Sequence, residues 1–261
     1  MAVDMLENTF VLLKGIGASR ETMLWRSGIH TWKDFVSTEK VRGIADVRKE
    51  YMDLSLMEAQ TRLKDRDSRY FASNLPSREL WRCLSDFSGN AIYLDIETTG
   101  ISIMSPVTVV GIYDGRRMHT LIKGQNLSGS SLNAILGSAD MIVTFNGACF
   151  DLPVLRTRFP GAIPDVPHVD LRNVLRKLGL SGGLKAIERQ LGIARDQRVE
   201  YMTGSEAVYL WRLWERQGKR NALDLLIEYN AADCVNLKSL SEYAYGKLKH
   251  ATFERIAFMK D

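Results

Sequence analysis

Two carboxylates, Asp95 and Glu97, stand two residues apart in Ala91-Ile-Tyr-Leu-Asp-Ile-Glu-Thr-Thr-Gly100. As a strand this segment sets Ile92, Leu94 and Ile96 on one face and Tyr93, Asp95 and Glu97 on the other, because strand side chains alternate. Like charges sharing a face at the end of an apolar strand repel unless a cation lies between them. The pair therefore suits divalent-metal chemistry. Taken alone it also reads as a solvent-facing strand end, and an acid-x-acid triplet recurs at Asp65-Arg-Asp67. A third carboxylate, Asp151, follows the apolar run 141–145 and the turn Asn146-Gly147, in the first turn of a helix expected to begin near Phe150. The helix dipole favours an acid there by about 0.3–1 kcal/mol, which is explanation enough for Asp151 in isolation; its place beside a strand end is where open α/β sheets gather ligands. A fourth, Asp233, shares an apolar helical stripe with Leu226, Leu237, Leu240 and Ala244. Tyr229, one turn earlier, lies on the same face. A lone tyrosine on such a stripe is ordinarily core; a tyrosine and an aspartate together there require a polar partner.

The elements that must position these groups follow from periodicity. Residues 1–85 read as short helical segments and a small domain, and residues 86–261 as an α/β domain, the boundary falling at Leu84-Ser-Asp-Phe-Ser-Gly-Asn90. An antiparallel three-strand meander over about 91–124, a helix over 128–138, a fourth strand over 141–146 and then alternating helix and strand predict a sheet covered on both faces. With 45% apolar and 25% charged residues in 261, the chain can bury a sizeable core, which excludes a disordered or collagen-like protein. No apolar run approaches a membrane span, and Met1-Ala-Val-Asp4 lacks a leader pattern, so the reading is cytoplasmic with no membrane partner. Cys83, Cys149 and Cys234 form no CxxC pair, and four scattered histidines disfavour a zinc hydrolase. The formal net charge of +4 suits a phosphate-bearing partner without demanding one. The charged stretch 39–82 reads as solvated helix faces, with nucleic-acid contact as the alternative. Nucleophile-elbow, P-loop and HExxH motifs are absent.

Asp95-x-Glu97, Asn146-x3-Phe150-Asp151 and Tyr229-x3-Asp233, in this order, resemble the three exonuclease motifs of the DEDD superfamily of 3′–5′ exonucleases, an RNase H-like group that includes proofreading domains. The second motif, Phe145-Asn-Gly-Ala-Cys-Phe-Asp-Leu-Pro-Val-Leu155, is most similar to that of family B DNA polymerase proofreading domains and YprB-like ribonuclease H-like proteins. Tyr229 matches the DEDDy branch; the DEDDh branch would carry histidine where Glu228 stands. His168-Val-Asp170-Leu171 and Gly183-Leu-Lys-Ala-Ile-Glu-Arg-Gln-Leu-Gly192 resemble the strand and helix between the second and third motifs, and the resemblance covers about 86–250. Asp170 reads as structural, contact with the site being its alternative, and His168 as a packed or surface histidine.

The resemblance implies an RNase H-like mixed sheet flanked by helices. It makes Asp95, Glu97, Asp151 and Asp233 the ligands of two Mg²⁺ or Mn²⁺ ions, one activating water and both stabilising charge on the scissile phosphate and the leaving 3′-oxygen. Tyr229 would orient the water, Asn146 would bind substrate near the 3′ end, and the partner would be the 3′ end of single-stranded DNA or RNA, with protein partners unspecified. A nucleic-acid-binding protein without hydrolysis and a structure-specific endonuclease remain the alternatives. In the first domain, Gly15-Ile16-Gly17 resembles the hairpin of a helix-hairpin-helix motif, in which glycines let backbone amides approach a phosphate. A purely structural helical adaptor is the other reading. Arg20 occupies the third glycine position of GxGxxG, so no dinucleotide site is implied.

Overall fold

Polar caps and glycine turns cut the first part of the chain into short helices, and the computed structural model describes residues 5–257. Residues 1–4, which include the stretch read above for a leader, lie outside the described residues. Two compact units result, one of the residues up to Ser88 together with those from Tyr245 onward, the other Gly89–Ala244. No helix among the described residues is long and apolar enough to cross a membrane.

In the first unit, α1 (Ala18–Arg26), α2 (Trp32–Ser37), α3 (Asp46–Lys64), α4 (Ser68–Asn74) and α5 (Leu84–Phe87) surround Phe10, Trp32, Phe35, Phe71 and Phe87. Thr31 opens α2 with a capping box, its hydroxyl accepting from the Asp34 amide while the Asp34 carboxylate accepts from the Thr31 amide. Among the described residues, no regular helix precedes Gly15-Ile16-Gly17, where a helix-hairpin-helix motif would carry one. Buried Glu21 explains the difference. Its Oε1 accepts from the amides of Phe10 (2.7 Å) and Val11 (3.3 Å), groups that a helix would direct to carbonyls four residues back. Arg82 neutralises Glu21 through hydrogen bonds of 2.9 and 3.0 Å, as a buried carboxylate requires.

The second unit is a five-stranded sheet in the order β3-β2-β1-β4-β5. Here β1 is Ala91–Thr98, β2 Val107–Tyr113, β3 Met118–Ile122, β4 Met141–Thr144 and β5 His168–Asp170. The first three strands are an antiparallel meander, and β4 and β5 add in parallel, so β1 lies between an antiparallel and a parallel neighbour. The helices are α6 (Gly129–Leu136), α7 (Asp151–Arg158), α8 (Leu171–Arg176), α9 (Leu184–Leu191), α10 (Gly204–Gln217) and α11 (Arg220–Ala257), the last belonging to this unit up to Ala244. Ile92, Leu94 and Ile96 pack with Leu132, Leu136, Leu152 and Leu155 of α6 and α7. Val109 and Ile122 of the sheet pack with Trp211, Leu223, Leu226 and Tyr229 of α10 and α11. The β1 alternation thus commits Ile92, Leu94 and Ile96 to one core and leaves Asp95 and Glu97 for the other face. Strand β4 stops at Thr144, two residues before the sequence pattern would end it: Asn146 turns left-handed (φ 66°) and the Thr144 hydroxyl accepts from the Gly147 amide at 3.2 Å.

One glycine sets how closely α11 packs. Gly111 pairs with Asp95 in the β1–β2 ladder. A Cβ there would stand 2.7 Å from Cys234 Sγ and 2.8 Å from Met118 Cε, and nearer still to Asn230 Oδ1. An isolated strand glycine of this kind marks a close approach. Gly111→Ala is expected to destabilise the protein by about 1–3 kcal/mol through overpacking, read as a lower urea midpoint. An unchanged midpoint would mean that α11 does not bear on β2.

Candidate active site

The side chains of Asp95 and Glu97 rise from the centre and end of β1, and α11 brings Asp233 to meet them. One carboxylate oxygen from each of Asp95, Glu97 and Asp233 lies within 4.8 Å of the other two. The ladder register shifts between Glu97 and Thr98, a bulge of the kind that re-aims a side chain at a site. Asp151, in the first turn of α7, accepts from the backbone amide of Ile96 at 3.2 Å, so it is anchored to β1 between the two β1 acids. It stands outside the trio. Glu97, Asp151 and Asp233 are only 6–8% exposed.

Electrostatics shows the cost of this arrangement. Burial, then repulsion from Asp233, Asp151 and Glu97, pushes the Asp95 carboxyl far above the usual range, against a hydrogen bond from Asn230 Nδ2 (2.8 Å). Glu97 is raised by burial and by Asp233 and Asp151. Burial also raises Asp151, opposed by the amides of Asp151 and Ile96. Asp233 is raised by burial and held down by Arg195. Arg195 itself is 2% exposed and contacts both Asp233 and Glu188, with Nη2 at 2.7 Å from Glu188 Oε1. A second cation, Lys185, places Nζ 4.2 Å from the Tyr229 ring centroid, within cation–π range. Two cations against the four carboxylates of the cluster and Glu188 leave excess negative charge in a buried space. Hard carboxylate oxygens converging in this way fit a Mg²⁺- or Ca²⁺-like ion, and Asp95, Glu97 and Asp233 are the residues that can hold one.

Tyr229 is 7% exposed on α11. Burial and then Asp233, Glu97 and Asp95 lift its phenol above the ordinary tyrosine range. It stays protonated at neutral pH. Asn146 lines the same cleft as Asp95 and Asp233, its Oδ1 accepting from Arg172 Nη1 at 2.7 Å. Asp170 accepts from three backbone amides, Asn146 (2.8 Å), Ala148 (3.1 Å) and Arg172 (3.1 Å), fixing both the β4–α7 turn and the start of α8. His168 Nε2 meets Thr144 Oγ1 at 2.8 Å, and burial pushes its pKa down to about 4, leaving it neutral.

Gly15 and Gly17 belong to the other unit. Gly15 is left-handed (φ 81°), and a Cβ there would overlap the Arg48 guanidinium, whose Nη2 donates to the Lys14 carbonyl at 2.9 Å. The left-handed backbone therefore accounts for glycine at this position, since the exposed Arg48 side chain could move aside. Gly17 caps α1 with extended backbone, and a Cβ there would meet nothing within 4 Å.

The residues that motif reading overlooked are Asn230, Arg195, Lys185, Glu188 and Arg172. Two positions carried a signal: Asn230 is a helix-disfavoured amide inside a helical run, and Gly111 opposite it is a lone strand glycine. Arg195 follows the left-handed turn at Gly192 (φ 70°), and nothing local marks it as the partner of an aspartate 38 residues on.

An antiparallel meander extended by parallel strands, with acids at the central strand and on a crossing helix, defines an α/β fold of the nuclease type. The chain belongs to the RNase H superfamily, whose family model matches residues 92–245. Solved structures similar to it include the family B DNA polymerase of the hyperthermophilic archaeon Pyrobaculum calidifontis (16% identity, 59% of this chain and 24% of the polymerase, TM-score 0.48). A nuclease in its apo form is similar at 19% identity over 65% of this chain and 80% of the nuclease, TM-score 0.45. Escherichia coli RNase D, an exoribonuclease involved in structured RNA processing, is similar at 18% identity over 69% of this chain and 48% of RNase D, TM-score 0.42. The chain spans about a quarter of the polymerase's length and about half of RNase D's. No curated protein matches it in sequence.

Proposed function

We propose that this protein is a metal-dependent 3′–5′ exonuclease of the DEDDy type, hydrolysing phosphodiester bonds at the 3′ end of single-stranded DNA or RNA. The observation that carries the reading is the convergence of Asp95, Glu97 and Asp233 beside a protonated, buried Tyr229. A nucleic-acid-binding protein without hydrolysis has no use for carboxylates buried together, which repel both each other and phosphate.

Asp95, Glu97, Asp151 and Asp233 would hold two Mg²⁺ or Mn²⁺ ions, which when bound supply an activated water and stabilise charge at the phosphate. Asn230 fixes the Asp95 rotamer by its 2.8 Å hydrogen bond, and Arg195 fixes that of Asp233. The Ile96 amide holds Asp151 toward β1. Tyr229, unable to ionise at neutral pH, orients the attacking water by hydrogen bonding, and Lys185 over its ring steadies it. In the first unit, the amides of Gly15 and Gly17 together with a groove of about 790 Å³, lined by Arg20, Arg26, Lys40 and Arg42 and by no acid, suit the phosphate backbone of the nucleic acid.

On 5′-labelled single-stranded DNA and RNA, the wild type with Mg²⁺ or Mn²⁺ is expected to give ladders shortening from the 3′ end, and chelator to abolish them. Internal cuts would indicate an endonuclease. Asp95→Asn should remove cleavage without lowering the melting temperature, since an isosteric amide keeps the shape and relieves the repulsion among the buried carboxylates; undiminished cleavage would refute the site. Tyr229→Phe keeps the packed ring and removes only the hydroxyl, so single-turnover cleavage should fall about 10–1000-fold at an unchanged melting temperature. An unaltered rate would make Tyr229 a core residue. Lys40→Ala with Arg42→Ala should lower the slope of log K against log salt by roughly 0.7–0.9 for each phosphate that the protein no longer neutralises. An unchanged slope would leave the first unit a structural adaptor.

A further inference from the structure

We infer that Arg172 binds a non-scissile phosphate of the substrate strand, the one immediately 5′ of the bond that is cut, and that Asn146 is the positioning residue that holds it there. The inference rests on the exonuclease reading above. Asp95, Asp233, Asn146, Arg172, Gly182 and Gly183 line one cleft of about 360 Å³, so this arginine shares the space in which the carboxylates lie. Its side chain is exposed. Among the described residues the guanidinium makes one hydrogen bond, Nη1 to Asn146 Oδ1 at 2.7 Å. That partner is a neutral amide, and Arg172 forms no ion pair among the described residues, in contrast to Arg195, which lies between two carboxylates. A cation held by a neutral acceptor is oriented without being neutralised. The remaining donors of its planar fork match the paired oxygens of a phosphate.

The support beneath it is rigid. Asp170 accepts from the amides of both Asn146 and Arg172, at 2.8 and 3.1 Å, and so ties the backbones of the two residues to one carboxylate. Asn146 adopts φ 66°, a left-handed conformation that asparagine tolerates better than most residues and that turns its amide oxygen to Arg172. Gly182 and Gly183 add no side chain to the cleft, and the space where a Gly183 Cβ would lie is open. Asn146 therefore acts on the substrate through Arg172, rather than as the direct contact that the motif suggests. A cleft of this volume, at the small end for ligand pockets, holds the end of a strand, which places the phosphate next to the scissile linkage.

The test measures binding by fluorescence anisotropy on the full chain carrying Asp95→Asn, to prevent turnover, with a short single-stranded DNA and its single methylphosphonate variants, each neutralising one linkage near the 3′ end. With Arg172 present, one linkage should stand out, its neutralisation weakening binding about tenfold or more, the scale of a charge-assisted hydrogen bond. Arg172→Ala should abolish that positional penalty while the remaining linkages behave as before. Arg172→Lys, which keeps charge without the fork, should retain part of it, and Asn146→Gly, which keeps the left-handed turn and frees the guanidinium, should reduce it to about two- to threefold. The same penalty with and without Arg172, no penalty at any linkage, or a penalty confined to the scissile linkage overturns the assignment. Cleavage by the wild type without an Arg172-dependent penalty sinks this inference alone. An Arg172-dependent penalty without cleavage sinks the exonuclease reading alone.

Discussion

The approach of α11 to the β1–β2 pair is the constraint on which the candidate site depends. Asn230, which lies between Tyr229 and Asp233 on that helix, is 135 residues from Asp95 in the chain, and the three meet Asp95 only because the strand position paired with it is Gly111. Asn230 and Cys234 fill the volume that any side chain there would take. The same approach brings Asn230 Nδ2 to Asp95 Oδ2, so one close packing supplies both the third carboxylate and the amide that orients the first. Bulk at Gly111 would displace the helix, and the cluster would lose its definition with it.

Charge is the second constraint, and it explains the residues around the carboxylates. Four acids in a buried space cannot all ionise unaided, since desolvation and mutual repulsion both favour protonation. The fold compensates in a graded way. Asp151 receives backbone amides, Asp95 receives an amide side chain and Asp233 receives Arg195, while Lys185 favours the charge of Glu97. Glu188 in turn holds Arg195, with Asn236 donating to Glu188 at 3.0 Å, so the cation is locked from behind. The remaining negative charge fits the proposed divalent ions.

Asp170 shows how a carboxylate beside such a site can serve geometry instead. Its oxygens accept from three amides, and through them it sets the left-handed Asn146 turn, the entry to α7 that carries Asp151, and the first turn of α8, which it caps. His168, neutral and bonded to Thr144, ties β5 to β4 in the same region. Acid and histidine types near a site are thus read correctly only once their hydrogen-bond partners are known.

Alternation within residues 91–98 determined by itself that Asp95 and Glu97 leave the core that holds Ile92, Leu94 and Ile96, because period two is a local property of a strand. Helical spacing likewise placed Tyr229 and Asp233 on one face, and the apolar run 141–145 announced the strand before Asp151. Local rules reached these positions since each depends on neighbours a few residues away. The N-terminal hairpin escaped them: a helix before Gly15 is locally plausible, but Glu21, held by its distant partner Arg82, captures the amides of Phe10 and Val11 and leaves turns there. Arg195 on Asp233, Asn230 on Asp95, Arg172 on Asn146 and the fit of α11 over Gly111 were decided by the tertiary structure alone. Such pairings join residues 26 to 135 positions apart, and ion pairing and packing act through distance in space, which a linear chain does not record until it has folded.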